Sequence, residues 1–328
     1  MSKQPKDIKI LDLGFHPYAD TFLRKDQLNN SEPVYQLSCY LSKKTGVIRN
    51  GIKTDADSRY NLYDYSYTSS NSSYSKNYWE QYAKNLSQEL NITDNFRILE
   101  IGSNDGYLLK CFKKYTSKTW GVDASKLMCD LSKKNRIRTL NLLFNLKNSK
   151  KIKKKVGKFD AIISNNVLNH SDDVINFISG VKHLLNKNGS FIFELPYWYN
   201  LVLNEQFDQI YHEHVNYFTV KSSNFFLKKC GFQITKIEET NYHGGCIRVY
   251  AKVGSDTKSN SLIKNYIDKE NKLGLFKEKT YKKIMKNLNK KKISFLEKII
   301  SFKRKNYKVI GVGAAAKGNT FLNFLRLD

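Results

Sequence analysis

A parallel, doubly wound α/β sheet ending in an antiparallel hairpin is the fold that the sequence predicts for the middle of this chain. Three observations predict it. Strand-like apolar runs alternate with amphipathic helical runs between residues 97 and 196. The first of these strands ends in a glycine turn, GSNDG at 102–106, that leads straight into a helical run. Beyond residue 220 the stretch FFLKKCGFQITKIEETNYHGGCIRVYAKV reads as helix, strand, turn, strand, with the two strands joined closely enough to be antiparallel.

The elements follow in order. Residues 1–75 carry few helical signals and much Tyr, Ser, Asn and Asp, which predicts a small irregular or β-rich lobe. Helical spacing of Trp79, Tyr82, Ala83 and Leu86 predicts a helix over 76–90. RILEIG (97–102) reads as a buried strand, YLLKCFKKY (107–115) as a helix, KTWGVD (118–123) as a strand and SKLMCDLSKK (125–134) as a helix. IRTLNL (137–142) is a strand, NSKKIKKK a charged loop, FDAIISN (159–165) a strand, VINFISGVKHLL (174–185) a helix and GSFIFELP (189–196) a strand. Residues 256–306 are a lysine-rich helical stretch, and YKVIGVGAAAKGNTFLNFL predicts one more strand–turn–helix unit. The resulting organisation is a lobe over 1–75, an α/β domain over 76–254, and a helical segment with a partial C-terminal α/β domain over 255–328.

Composition narrows the function. The chain has 328 residues, 40% of them hydrophobic, with 21 Tyr and 19 Phe, enough to build a packed core. The formal net charge of +26 invites a nucleic-acid reading, yet only nine of the 56 basic residues are Arg. Base readers lean on the bidentate guanidinium; lysines mixed with Asn and Ile are expected to form a solvated surface. The five cysteines are scattered without a C-x-x-C pair, so neither a disulfide framework nor a zinc knuckle follows. No apolar run is long enough to cross a membrane, and MSKQPKDIKI has no apolar signal core, which predicts a cytoplasmic protein.

In ILEIGSNDGYLL, Glu100 ends a strand and Gly102, Ser103, Asn104, Asp105 and Gly106 form the turn. Glycine lets backbone approach a ligand where a side chain would collide. A tight strand–helix turn without a ligand stands beside that reading. Asp123 in WGVDAS follows the turn by about 20 residues, where a carboxylate can accept the ribose hydroxyls of a nucleoside cofactor. The turn lacks the third glycine of the dinucleotide fingerprint and is acidic, which would repel a pyrophosphate but suits the cationic S-adenosylmethionine. With the terminal hairpin, this favours a class I methyltransferase over a nicotinamide dehydrogenase. Asn165 and Asn166 end the next strand near the cofactor, whereas Asp160 reads as structural.

With EIGSNDGYLL, FDQIYHEHVNYF, YHGGCIRVY and GVGAAAKGNTFLN in this order, the chain resembles the S-adenosylmethionine-dependent sugar C-methyltransferases of deoxysugar biosynthesis. The likeness runs over nearly the whole chain, from ILDLGFHPYADTF at 10–22. It implies a Rossmann-like methyltransferase domain, an N-terminal zinc-type lobe and a C-terminal domain holding a nucleotide-linked keto-sugar. The family's zinc lobe uses paired cysteines; here Ser42 and Thr45 stand where a pair would fall, so no metal is expected. The family's last domain continues past the GAAAKGN turn, which leads to the expectation of a shortened domain here.

Methylating a carbon beside a ketone requires a base to form an enolate and donors to hold the oxyanion. FDQIYHEHVNYF carries two of the six histidines, and histidine titrates near neutral pH. The resemblance places Tyr211, Glu213 and His214 around the sugar, with His170 reaching in and Tyr67 closing over it. His214 is the expected base. His212 is expected to face away, since alternate positions diverge on an extended segment. A packed aromatic core is the structural reading of the same residues. His243 and Arg248 in HGGCIR, and Lys317 and Asn319 in GAAAKGN, are the candidates for the sugar nucleotide; a hairpin turn and a plain strand–helix turn are the alternatives. A sugar O-methyltransferase, an RNA methyltransferase and a non-catalytic S-adenosylmethionine-binding relic are the competing functions.

Overall fold

The computed structural model describes residues 7–19, 23–52, 68–254, 260–313 and 315–327. Tyr67 lies outside them. The chain divides into two compact units, one of Met1–Thr54, Tyr197–Thr219 and Tyr266–Asp328, the other of Asp55–Pro196 and Val220–Asn265. They are called here the lobe unit and the sheet unit.

The lobe unit is built on antiparallel strands β1 (Ile8–His16), β2 (Tyr35–Leu41) and β3 (Ile48–Asn50). A distant segment joins them: α6 (Trp198–Leu203) and β9 (Asn216–Tyr217), the latter pairing with β3. The sheet order is β1-β2-β3-β9. Alternation in QLSCYL points Leu37, Cys39 and Leu41 inward, where they meet Trp198, Tyr217 and, from helix α9 (Glu278–Arg304), Tyr281, Ile284 and Leu288. Trp198 Nε1 donates to the Tyr281 hydroxyl at 2.8 Å, which donates to the Leu275 carbonyl at 2.7 Å, so the buried polar tips are satisfied.

The sheet unit opens with α1 (Ser73–Glu89), capped by the Ser72 hydroxyl accepting from Ser75 N. Then come β4 (Ile98–Ile101), α2 (Tyr107–Phe112), β5 (Thr119–Asp123), α3 (Lys126–Lys134), β6 (Thr139–Asn141) and α4 (Leu146–Val156). Strand β7 (Phe159–Asn165), α5 (Val174–Leu184), β8 (Leu185–Pro196), α7 (Val220–Lys229), β10 (Phe232–Thr240) and β11 (Cys246–Val253) complete it. The seven-stranded order is β10-β11-β8-β7-β4-β5-β6. Strands β4 to β8 pair in parallel, and β11 lies antiparallel between β8 and β10. The chain leaves β4 toward β5 and β6, then returns to its other side at β7. That reversal opens the crevice outside the carboxyl ends of β4 and β7, where open α/β sheets bind ligands.

Two expectations are corrected. The NSKKIKKK stretch is helix α4, not a loop. The Asn145 side chain caps it by accepting from Asn148 N at 2.8 Å, and Ser149 and Ile152 are fully buried at helical spacing. One large apolar residue among lysines is too faint a period to read in sequence. The second correction concerns KVIGV: residues 307–313 form no strand, and Val312 is 97% exposed. A strand needs a neighbour for its N–H and C=O groups, and none of the described strands supplies one. Only the helix of that unit forms, α10 (Ala316–Leu325). The lysine-rich stretch is two helices, α8 (Asn260–Leu273), which spans the division between the units, and α9.

Candidate functional site

In the sheet unit, the glycine turn sits at the end of β4, at the crevice. Gly102 has φ +70°, and a Cβ there would collide with the Val167 side chain, so the β7 end lies directly against the turn. Gly106, φ +79°, starts α2, where a Cβ would press on Ser132 and Ile137. Gly102 N and Ser103 N both donate to the Val122 carbonyl, at 2.7 and 3.2 Å, which ties the turn to β5. At the end of β5, the Asp123 carboxylate accepts from Asn104 N at 2.8 Å and Ser125 N at 2.9 Å.

The other acidic residue of the turn is spoken for. Asp105 accepts from the Ser69 and Ser70 hydroxyls, from Ser70 N at 3.2 Å and from Tyr107 N at 3.2 Å. It anchors the chain entering α1 to the start of α2. Asn104, at φ 50°, takes Ser69 N on its side-chain oxygen at 2.9 Å.

Several buried polar atoms at the crevice have no hydrogen-bond partner among the described residues: Glu100 Oε2, Ser103 Oγ, Asn165 Nδ2 and Asn166 Oδ1. Both amide atoms of Asn169, on the turn after β7, are in the same state although the residue is 2% exposed. An unsatisfied buried polar group costs about 1–3 kcal/mol, so such a gathering makes the crevice a candidate for a ligand that supplies the missing partners. Burial, followed by the charges of Asp105 and Asp123, pushes the Glu100 carboxyl well above its ordinary range. Asp123 is raised as well, mainly by burial. Carboxylates held out of water in this way call for a positive ligand. The ammonium and sulfonium of S-adenosylmethionine fit that demand, and the remaining Asp123 lone pairs suit its ribose hydroxyls. His170 lies beside this set, half-buried on the turn Leu168–His170.

Arg248, expected near the sugar nucleotide, sits inside the sheet unit at 6% exposure. Its guanidinium bonds Glu194 at 2.8 and 2.9 Å, donates to the Tyr78 hydroxyl at 3.1 Å and lies 3.9 Å over the Tyr82 ring. Glu238 takes a further contact at 3.4 Å. Among the described residues, then, the buried guanidinium of this unit is already paired. His243, at φ 50°, leans on Tyr242 with ring centroids 4.1 Å apart in the turn between β10 and β11. Asp160 accepts from Arg97 N and Asn186 Nδ2, a structural tie.

The lobe unit holds the histidine segment. His214 N donates to the Tyr211 carbonyl at 3.1 Å, closing a turn that sets side chains 211 and 214 on one side. Their rings lie 3.9 Å apart, and the Tyr211 hydroxyl meets His214 Nε2 at 2.6 Å. His214 Nδ1 contacts the Gln209 carbonyl at 2.9 Å. A carbonyl only accepts, so Nδ1 carries the proton and Nε2 is the basic nitrogen. Asn50 Nδ2 holds the Tyr211 carbonyl at 3.3 Å, and Glu213 is buried in the same turn. His212 points elsewhere, into Tyr18 and Tyr35 at centroid distances of 5.6 and 5.9 Å. It diverges because the segment turns, rather than by strand alternation. Burial, then the neighbouring His16, lowers its pKa to about 4.

Asn319 and Lys317 lie half-buried in the first turn of α10, with Asn319 Nδ2 toward the Tyr18 carbonyl at a long 3.5 Å. No group of three or more His, Cys, Asp and Glu that could hold a metal occurs among the described residues. All five cysteines are buried. Sequence reasoning missed Asn169 and Gln209. Asparagines are common throughout this chain, and the part of Gln209 that matters is its backbone carbonyl.

The match to the methyltransferase-domain family covers residues 74–237, half of the 328-residue chain, and the chain belongs to that family. The cofactor of the class is S-adenosylmethionine. Residues 241–328 match the family described as the C-methyltransferase C-terminal domain. A similar curated protein is the C-methyltransferase NovU of Streptomyces niveus, 25% identical over 236 residues, 72% of this chain. The chain spans 56% of that protein's length. Similar solved structures include an S-adenosylmethionine-dependent methyltransferase from Clostridium acetobutylicum (18% identity, TM-score 0.42, covering 56% of this chain and 94% of that one). Another is the magnesium protoporphyrin IX methyltransferase of Synechocystis with bound S-adenosylhomocysteine (15% identity, TM-score 0.42, 55% and 83%). No described helix is long and apolar enough to cross a membrane.

Proposed function

We propose that this chain is an S-adenosylmethionine-dependent C-methyltransferase that methylates a nucleotide-linked keto-sugar through a base-generated enolate. The observation that carries the reading is His214. Its proton is held on Nδ1 by the Gln209 carbonyl, which makes Nε2, facing the Tyr211 hydroxyl, the proton-accepting nitrogen. A poised neutral imidazole is what removal of a proton beside a ketone needs. The C-methyltransferase C-terminal match and the similarity to NovU support carbon, rather than oxygen, as the acceptor.

In the sheet unit, Gly102 and Gly106 admit the cofactor, Asp123 would take its ribose and Glu100 its cationic end. When bound, the cofactor supplies an electrophilic methyl group. His214 is where the substrate proton ends. Tyr211 positions the sugar, Glu213 orients the imidazole or a sugar hydroxyl, and His170 is assigned to the developing oxyanion. His243, Lys317 and Asn319 are assigned to the sugar-nucleotide side of the substrate, and Tyr67 to the sugar itself.

The test is mass spectrometry and NMR of products from a panel of nucleotide 4-keto-sugars incubated with S-adenosylmethionine. A product one methylene heavier, with the new methyl on the carbon beside the ketone, is expected. A methyl on oxygen would make the chain an O-methyltransferase. Cofactor binding without any product would make it a relic.

A further inference from the structure

We propose that Tyr211 is the group that touches the reacting hydrogen, and that it relays the proton to His214. The proposal rests on the C-methylation reading above and adds the route the proton takes.

The geometry runs in one direction. His214 Nδ1 must donate to Gln209, so Nε2 can only accept, and the atom facing it at 2.6 Å is the Tyr211 oxygen. In the resting pair the phenol therefore donates its hydrogen to Nε2. The lone pair that a free histidine base would use is engaged. His214 is 5% exposed, whereas Tyr211 is the half-buried member of the pair. The pair is also fixed: rings 3.9 Å apart, the turn closed by His214 N to Tyr211 O, and Tyr211 N on the Tyr217 hydroxyl at 3.3 Å. Rotating His214 to present Nε2 directly would break its bonds to Tyr211 and Gln209.

The relay balances. The substrate C–H bond breaks, and its electron pair passes into the enolate on the ketone oxygen. Its proton forms a new O–H bond on Tyr211. The original phenol O–H breaks, and that proton forms an N–H bond on His214 Nε2. Tyr211 ends as it began, and the imidazolium keeps its bond to Gln209 while donating back to Tyr211. The positive charge appears one residue away from the enolate.

The experiment follows deuterium exchange by proton NMR at the carbon beside the ketone of a nucleotide 4-keto-sugar. The full chain is used with S-adenosylhomocysteine, so no methyl is consumed. The relay predicts that Tyr211→Phe loses exchange as severely as His214→Asn, on the order of 10²-fold or more. A pH series separates the roles. His214→Asn should regain exchange as pH nears ~10, where a phenol ionises without help; Tyr211→Phe should not. A purely structural role for Tyr211 would show no such asymmetry. Tyr211→Phe exchanging at the wild-type rate overturns the relay while leaving the enolate reading in place. Wild-type protein that exchanges no carbon-bound hydrogen in any keto-sugar overturns both. Should a variant fail to fold, long-range proton–nitrogen NMR of the wild-type histidines decides. A neutral His214 protonated on Nδ1 is expected, and protonation on Nε2 overturns the proposal.

Discussion

Burial shifts titratable groups of opposite sign in the two units. In the sheet unit it raises the carboxyls of Glu100, Asp123 and Glu194. In the lobe unit, which also buries Glu213 and Glu270, it lowers the imidazoles: His16 is lowered and His212 is taken down to about 4. The difference also shows in pairing: at the crevice of the sheet unit Glu100 Oε2 has no hydrogen-bond partner among the described residues, whereas in the lobe unit the Tyr211 hydroxyl and His214 Nε2 are paired with each other. Under the proposed function the first suits a cationic ligand and the second a proton transfer.

The largest expected effect comes from Glu194, a fully buried carboxylate of the sheet unit paired with a buried cation. Arg248→Ala would leave Glu194 buried without its cation, with only the Tyr78 hydroxyl on its other oxygen. Removing one partner of a buried pair costs about 3–5 kcal/mol. Denaturant unfolding should show that loss, and Arg248→Met combined with Glu194→Met should recover much of it, because the charge then goes with its partner. An unchanged midpoint together with weakened keto-sugar binding would return Arg248 to the substrate.

The lobe unit should be the one that acid weakens. His212 stays neutral in the fold until about pH 4, while the unfolded chain takes up its proton near 6.5. Stability is therefore lost as pH falls between those values, by about 3 kcal/mol in all. Hydrogen exchange of the peptides around β2 and β9, compared between wild type and His212→Gln, measures it. The variant should show the shallower pH slope. Equal slopes would mean that another group titrates there.

How far these sites were legible depends on whether their parts are neighbours in sequence. The glycine turn, Asp123 and the β7 end were readable because βα units are local, and a switch point gathers strand ends in a predictable way. The terminal hairpin followed from two strands separated by a short turn. The pairing of β9 with β3 was not legible, since no local period links Asn216 to Arg49. Nor was the difference between Arg248 and Glu100. Both are charged residues on strands, and only the fold shows that Tyr78, Tyr82 and Glu194 surround the first. The unpaired KVIGV run shows the converse failure: strand-like sequence forms a strand only where a partner edge exists.

The smallest effect tests the unpaired acceptor most directly. Glu100 ends β4 at 5% exposure, with its carboxyl pushed well above the ordinary range by burial and then by Asp105 and Asp123. The sign for folding is opposite to that of His212. Above about pH 4.5 the unfolded chain ionises this carboxyl and the folded one does not, so the sheet unit loses stability as pH rises, up to the folded-state pKa. A bound ammonium or sulfonium favours the carboxylate, lowers that pKa and drives the proton off. Binding of S-adenosylmethionine should therefore tighten with rising pH below the free-state pKa, by at most about tenfold, or ~1.4 kcal/mol, per pH unit. Calorimetry in two buffers of different ionisation enthalpy counts the protons released. A release approaching one proton is expected for the wild type and a clearly smaller one for Glu100→Gln. Identical release in both proteins would mean that the cofactor's positive charge is met elsewhere, with Asp123 the next residue to substitute.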